Sequence, residues 1–187
     1  NIYMKYLAVA GRQPLISLAE IQALYDKHAK LVGKNLIIFQ LNNKKPEINR
    51  LGGIMKLGEL FEGDFKGLVK HLNELHLEGK ITFGISDFSK QKKAGFAFQK
   101  SMEIKRSLGK MGRSVRVITS KESEIPSATA HHNQLGEKPG CYEILVLDQE
   151  LYLSLGTQNI TAYTERDQAR PARDAKVGML PPKLAQI

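Results

Sequence analysis

The chain has 187 residues, 42% of them hydrophobic and 25% charged, with a formal net charge of +9. That length holds one large or two small domains with a sizeable core, and no apolar run approaches the roughly 20 residues that cross a bilayer as a helix. The single cysteine, Cys141, excludes an internal disulfide and suits a reducing, cytoplasmic setting; no cleavable signal and no membrane partner are expected.

Residues 5–10 (KYLAVA) read as a buried strand, followed by a turn at Gly11 to Pro14. Ser17-Leu18-Ala19-Glu20 has the pattern of a capping box, in which a hydroxyl and a carboxylate satisfy the first free N–H groups of a helix. Leu18, Ile21, Leu24 and Tyr25 would form that helix's apolar face. A strand is predicted over 35–41 (NLIIFQL), then a polar turn over 42–46. A glycine-interrupted strand follows between Ile48 and Leu60, where Gly52 and Gly53 read as a bulge. A second helix starts at Asp64 with Leu68, Leu72 and Leu75 on one side, and Gly79 ends it. The strand over 80–86 alternates Ile81, Phe83 and Ile85. The order β-α-β-β-α-β predicts an α+β protein whose first unit, residues 4–87, is ferredoxin-like.

A second α/β unit is predicted over 88–162. Its first helix runs from Gly95 to Met111, with Ala97, Ser101, Ile104, Leu108 and Met111 on one face and Arg106 and Lys110 roughly opposite. Gly112 ends it. A strand over 114–119, a short helix over 127–136, a nearly continuous apolar strand over 142–147 and a strand from Leu151 to Leu155 complete the unit. Residues 163–176 have the polar, mixed-charge composition of a linker. There Arg166, Asp167, Arg170 and Arg173 would form a salt-bridged connector or pin two domains. At 180–187 a helix begins: Pro181 and Pro182 suit its first turn, and Leu180, Leu184 and Ile187 form one stripe.

The charge is concentrated. Between residues 90 and 121 lie ten cations and one acid, Glu103, so this segment alone carries +9 and the rest of the chain sums to zero. Such confinement is the footprint of a polyanion-binding surface. The candidate RNA contacts are Lys90, Lys92, Lys93, Lys100, Arg106, Lys110, Arg113, Arg116 and Lys121. Phe96 and Phe98 sit among these lysines, where aromatic rings can stack on bases, but the start of a helix places them first in the core.

No catalytic constellation is legible. The histidines, His28, His71, His76, His131 and His132, lack metal-ligand spacing, so no metal site is predicted. Cys141 beside a core strand has no local activator. No glycine-rich nucleotide loop is present, so no cofactor site is written in this chain.

The last 25 residues, YTERDQARPARDAKVGMLPPKLAQI, carry a resemblance. Tyr163, Arg166-Asp167, Arg170-Pro171 and the run Gly178 to Ala185 (GMLPPKLA) resemble the junction into the methyltransferase domain of THUMP-containing RNA methylases, the guanine-N2 tRNA methyltransferases and their bacterial relatives. The resemblance implies a ferredoxin-like unit, a THUMP-like unit that binds tRNA or another structured RNA, and, over 163–187, a linker and the first helix of the domain that follows. It also implies a Rossmann-like catalytic domain, outside this chain, that binds S-adenosylmethionine. None of that domain's Asp-Pro-Pro-Tyr-type residues falls on a position here. The charge alone also suits a scaffold module for an acidic protein or the substrate-binding part of a DNA methylase.

Overall fold

The computed structural model describes residues 3–75 and 78–168, and the side chains up to Glu165. Among the described residues, eight strands and five α-helices form a mixed α/β arrangement. They are β1 (Tyr3–Ala10), α1 (Pro14–Leu24), β2 (Lys30–Leu31), β3 (Leu36–Asn42), β4 (Ile54–Phe61), α2 (Phe65–Leu75) and β5 (Ile81–Asp87). Then come α3 (Phe96–Lys110), β6 (Val115–Ile118), α4 (Ser127–His132), β7 (Cys141–Leu147), β8 (Glu150–Thr157) and α5 (Ile160–Gln168). One compact unit is Gly58–Thr157; the other comprises the described residues 3–57 and 158–168.

In the first unit the strand order is β2-β3-β1-β4. β1 and β2 both run antiparallel to β3, so β1-α1-β2 is a split βαβ with β3 between its strands. Tyr6 stacks on Phe39 at 5.4 Å, and Leu7, Ile37, Leu51 and Ile54 are fully buried.

Four expectations are corrected here. The strand predicted from Ile48 is a 3-10 turn (Ile48–Arg50) before β4 begins at Ile54. The capping box does not form: Pro14 opens α1, which puts Ser17 inside the helix. The Ser17 hydroxyl donates to the carbonyls of Gln13 (3.1 Å) and Gly53 (2.9 Å). The buried face of α1 is therefore Ser17, Glu20 and Ile21, while Leu24 is exposed. Finally, α5 occupies the start of the predicted linker. Asn159 supplies the side-chain acceptor for the Ala162 N–H (2.9 Å), an N-cap, and Tyr163 is buried. Asn159 and Tyr163 give this polar stretch what a helix needs. Arg170, Arg173 and the helix predicted over 180–187 lie outside the described residues, as does His76.

In the second unit the order is β4-β8-β7-β5-β6. β5 pairs in parallel with both β6 and β7, and β7 turns back into β8. The strand expected to close a unit at Asp87 thus lies inside the sheet of the second one. Its two parallel partners come later in the chain and need helical crossovers. Residues from α2 (Leu68, Val69, Leu72), α3 (Ile104, Leu108) and the strands (Ile81, Phe83, Ile85, Ile144, Val146) form one core. Ile118, Ile125, Ala130 and Leu135 form a second, beneath α4. Strand alternation assigns them to opposite faces of the sheet. On the α4 face Gly84 admits close contact: a Cβ there would lie 2.2 Å from Ile125 Cδ1 and 2.8 Å from the Ile118 carbonyl. Leu75 and Met111, predicted on buried faces, are exposed, because each falls at the end of its helix beyond the last core contact.

Candidate nucleic-acid interface

α3 is the backbone of the basic segment, and its ends are set by glycine. Gly95 precedes it with φ 73. At the other end Gly112 takes φ 81, its N–H reaches the Gly109 carbonyl (2.9 Å), and the Arg113 N–H reaches that of Leu108 (3.0 Å). This is a Schellman stop, which requires a left-handed residue at the position Gly112 occupies. Ser101, Ile104 and Leu108 fasten the helix to the sheet, with the Ser101 hydroxyl donating to the Ala97 carbonyl (2.7 Å). The helix is about 22 Å long at 1.5 Å per residue.

The cations divide into groups that the sequence could not separate. Lys90, Lys92 and Lys93 sit in the loop from β5 to α3, and Lys121 in the loop after β6. Both loops leave the carboxyl ends of parallel strands, and they are bound together. The Asp87 N–H reaches the Ser123 carbonyl (2.8 Å), and Lys92 Nζ reaches Ser123 Oγ (2.9 Å) and Glu124 (3.2 Å). Asp148, in the β7–β8 turn, accepts from the Lys90 N–H (3.1 Å). Lys105, Arg106 and Lys110 are exposed along α3. Gln99, Glu103, Arg106, Ser107 and Lys110 line a shallow groove there.

Three candidates are engaged within the fold. Lys100 pairs with Glu103 (2.7 Å), and its Nζ lies 5.2 Å from the Phe65 ring centre. Arg113 donates to the Asn73 side chain and carbonyl, each at 2.7 Å, tying the end of α3 to α2. Lys92 holds Glu124 as above. By contrast, Lys90, Lys93, Lys105, Lys110, Arg116 and Lys121 have no acidic partner among the described residues. Arg116 stands apart. Val115 and Val117 face the α3 core, so Arg116 projects from the other face of β6, the one that carries Ile118. Arg166 and Asp167 fall within α5.

Sequence reasoning left Lys105 off the list of contacts and put Phe98 in the core. Phe96 does pack inward, edge-on to Phe65 at 6.2 Å, but Phe98 is 56% exposed. The 100° step of the helix separates them, a signal present in the sequence.

Among the described residues no group of His, Cys, Asp and Glu could hold a metal ion, and no helix is long and apolar enough to cross a membrane.

No protein-family model matches the sequence, and no curated protein matches it. Among solved structures, TrmN from Thermus thermophilus shares the fold: TM-score 0.53 at 18% identity, covering 98% of this chain and 52% of that one. The chain thus spans about half the length of TrmN. A 4-thiouridine synthetase solved with RNA and ATP aligns less closely (TM-score 0.45, 11% identity, 82% of this chain and 41% of that one). So does PH1313 from Pyrococcus horikoshii (TM-score 0.45, 11% identity, 83% and 54%).

Proposed function

We propose that this chain is the RNA-binding part of an S-adenosylmethionine-dependent RNA methyltransferase. It holds tRNA or another structured RNA while a catalytic domain outside this chain methylates a base nitrogen. The observation that carries the reading is the basic segment: cations without acidic partners among the described residues, mounted along α3 and in the loops that lead into and flank it. The resemblance of residues 163–187 to the junction of THUMP-containing methylases supports the choice of RNA and of methylation, and the fold shared with TrmN is compatible with it.

The chemistry asked of these residues is positioning. Lysine and arginine neutralise phosphates and release counterions, so affinity falls steeply with salt. Spread over a 15-residue helix and its entry loop, they follow a backbone rather than grip one group. S-adenosylmethionine would supply the methyl group. The sequence offers that cofactor no glycine-rich strand-to-helix turn.

The test is binding of unmodified tRNA by the wild type and by Arg106→Glu/Lys110→Glu, at 50 and 200 mM salt, with thermal unfolding as a check on folding. The reading expects the double variant to lose retention of tRNA and to show a flatter dependence of log K on log salt. Unchanged affinity in a folded double variant would remove the assignment. Equal displacement of the wild type by heparin and by tRNA would favour an acidic protein partner instead.

A further inference from the structure

We propose that Phe98 is a stacking platform for an unpaired nucleobase of the bound RNA; this rests on the RNA-binding reading above and adds to it the kind of nucleotide that α3 selects. Phe96 packs in the core that α3 shares with α2, whereas Phe98 is left 56% exposed. On a helical wheel Phe98, Met102, Lys105 and Gly109 fall within one sector about 60° wide, its centre about 100° from that of the buried Ser101, Ile104 and Leu108. A Cβ on Gly109 would meet nothing within 4 Å, so the stripe stays low and open beyond the ring.

Charge identifies the occupant. Lys105 lies on the same stripe without an acidic partner among the described residues, and Arg106 and Lys110 border it. An apolar protein surface would have to desolvate these cations, while a nucleotide brings its own phosphate to them and a flat ring to the phenyl face. In an A-form duplex the base faces are hidden in the stack, so an exposed phenyl ring is of use only to an unpaired base. Cations alone grip duplex and single strand alike. The ring adds the discrimination.

The experiment compares wild type, Phe98→Ala and Phe98→Trp on two RNAs. One is an eight-nucleotide single strand with an internal 2-aminopurine; the other is a blunt hairpin with a closed, stable loop. The wild type should quench 2-aminopurine emission on binding. Phe98→Ala should weaken the single strand about ten-fold, abolish the quenching, leave the hairpin unchanged and keep the salt slope, since no cation is lost. Phe98→Trp should restore both affinity and quenching. Unchanged single-strand affinity in Phe98→Ala, or an equal loss on both RNAs, would overturn the platform while leaving the RNA-binding reading in place. Binding of neither RNA by the wild type would sink both.

Discussion

Removing the Glu20 carboxylate should destabilise the protein more than any surface change. Glu20 is 4% exposed, and its two oxygens accept from the N–H groups of Gly52 (2.6 Å) and Gly53 (3.0 Å). The carbonyls of the same two glycines are taken by Gln158 Nε2 (2.8 Å) and Ser17 Oγ (2.9 Å). The double-glycine turn is therefore held by side chains on every polar backbone atom, and Gly53 must lack a side chain because a Cβ would sit 2.5 Å from Ser17 Oγ. Glu20→Ala leaves two N–H groups, that of the buried Gly52 and that of the half-buried Gly53, without acceptors. At about 1–3 kcal/mol for each orphaned group, the expected loss is about 2–6 kcal/mol. With a urea slope near 2 kcal/mol per molar, the midpoint should fall by about 1–3 M. Glu20→Gln keeps one acceptor and turns its amide hydrogens toward the other N–H, so its loss should be about half. A Glu20→Ala variant within about 0.5 kcal/mol of wild type would refute this account of the turn.

The same residue gives a pH test. Burial pushes the Glu20 carboxyl above its ordinary value of 4.5, against the two N–H bonds that pull it down. A raised carboxyl pKa means that the folded state binds the proton more tightly than the unfolded state. The contribution of Glu20 is then largest at low pH and declines as pH rises from about 4.5 through the folded value. The stability gap between wild type and Glu20→Gln, measured by urea unfolding, should therefore narrow over that interval; a widening gap would contradict the direction.

Gly84→Ala should lower the melting temperature, with a cost of about 1–3 kcal/mol, because the Ile118 carbonyl 2.8 Å from the new methyl is backbone and cannot swing aside. Arg113→Ala should cost about 1–2 kcal/mol through its lost bonds to Asn73 and leave the salt slope of RNA binding unchanged, as a residue already engaged inside the fold should. Lys105→Glu should flatten that slope by about one unit or more, measured by titration between 50 and 200 mM salt, whereas Lys100→Ala should change it less because Lys100 is held by Glu103.

Most elements were legible because their periodicities are strong. α3, β5 and β7 each match a predicted helix or strand to within a residue or two, and α2 starts within one residue of its predicted start. What periodicity cannot supply is which strand pairs with which. Ile81, Phe83 and Ile85 look alike whether β5 closes a first sheet or sits between β6 and β7, and only the parallel register with Val115 and Tyr142 decides it. α1 was misread for a different reason. Its buried side is mostly polar, with Ile21 beside Ser17 and Glu20, so the apolar face that Leu18 and Leu24 suggest is not the one that packs, and Ser17 with Glu20 mimics a cap while serving a turn more than 30 residues away. The basic surface was visible as composition, but its division was not. Arg116 leaves the group by the two-residue alternation of β6, and Arg113 leaves it through contacts with a residue 40 positions earlier.

Arg106 and Lys110 are one helical turn apart, and like charges at that spacing cost a helix a few tenths of a kcal/mol. Lys105 adds to the repulsion, and only Glu103 on the same helix offsets it. Salt and water reduce each term, yet all have the same sign. α3 tolerates them because its anchoring lies elsewhere: a buried stripe, a glycine-dependent stop and the Arg113 bonds to Asn73. None of these uses the cations on the outer face. A helix fastened in this way can carry uncompensated charge without unfolding, and a bound polyanion relieves the repulsion it leaves. The same separation explains why charge reversals on the outer face of α3 are clean tests of binding, while substitutions at Arg113 or Ser101 would confound binding with stability.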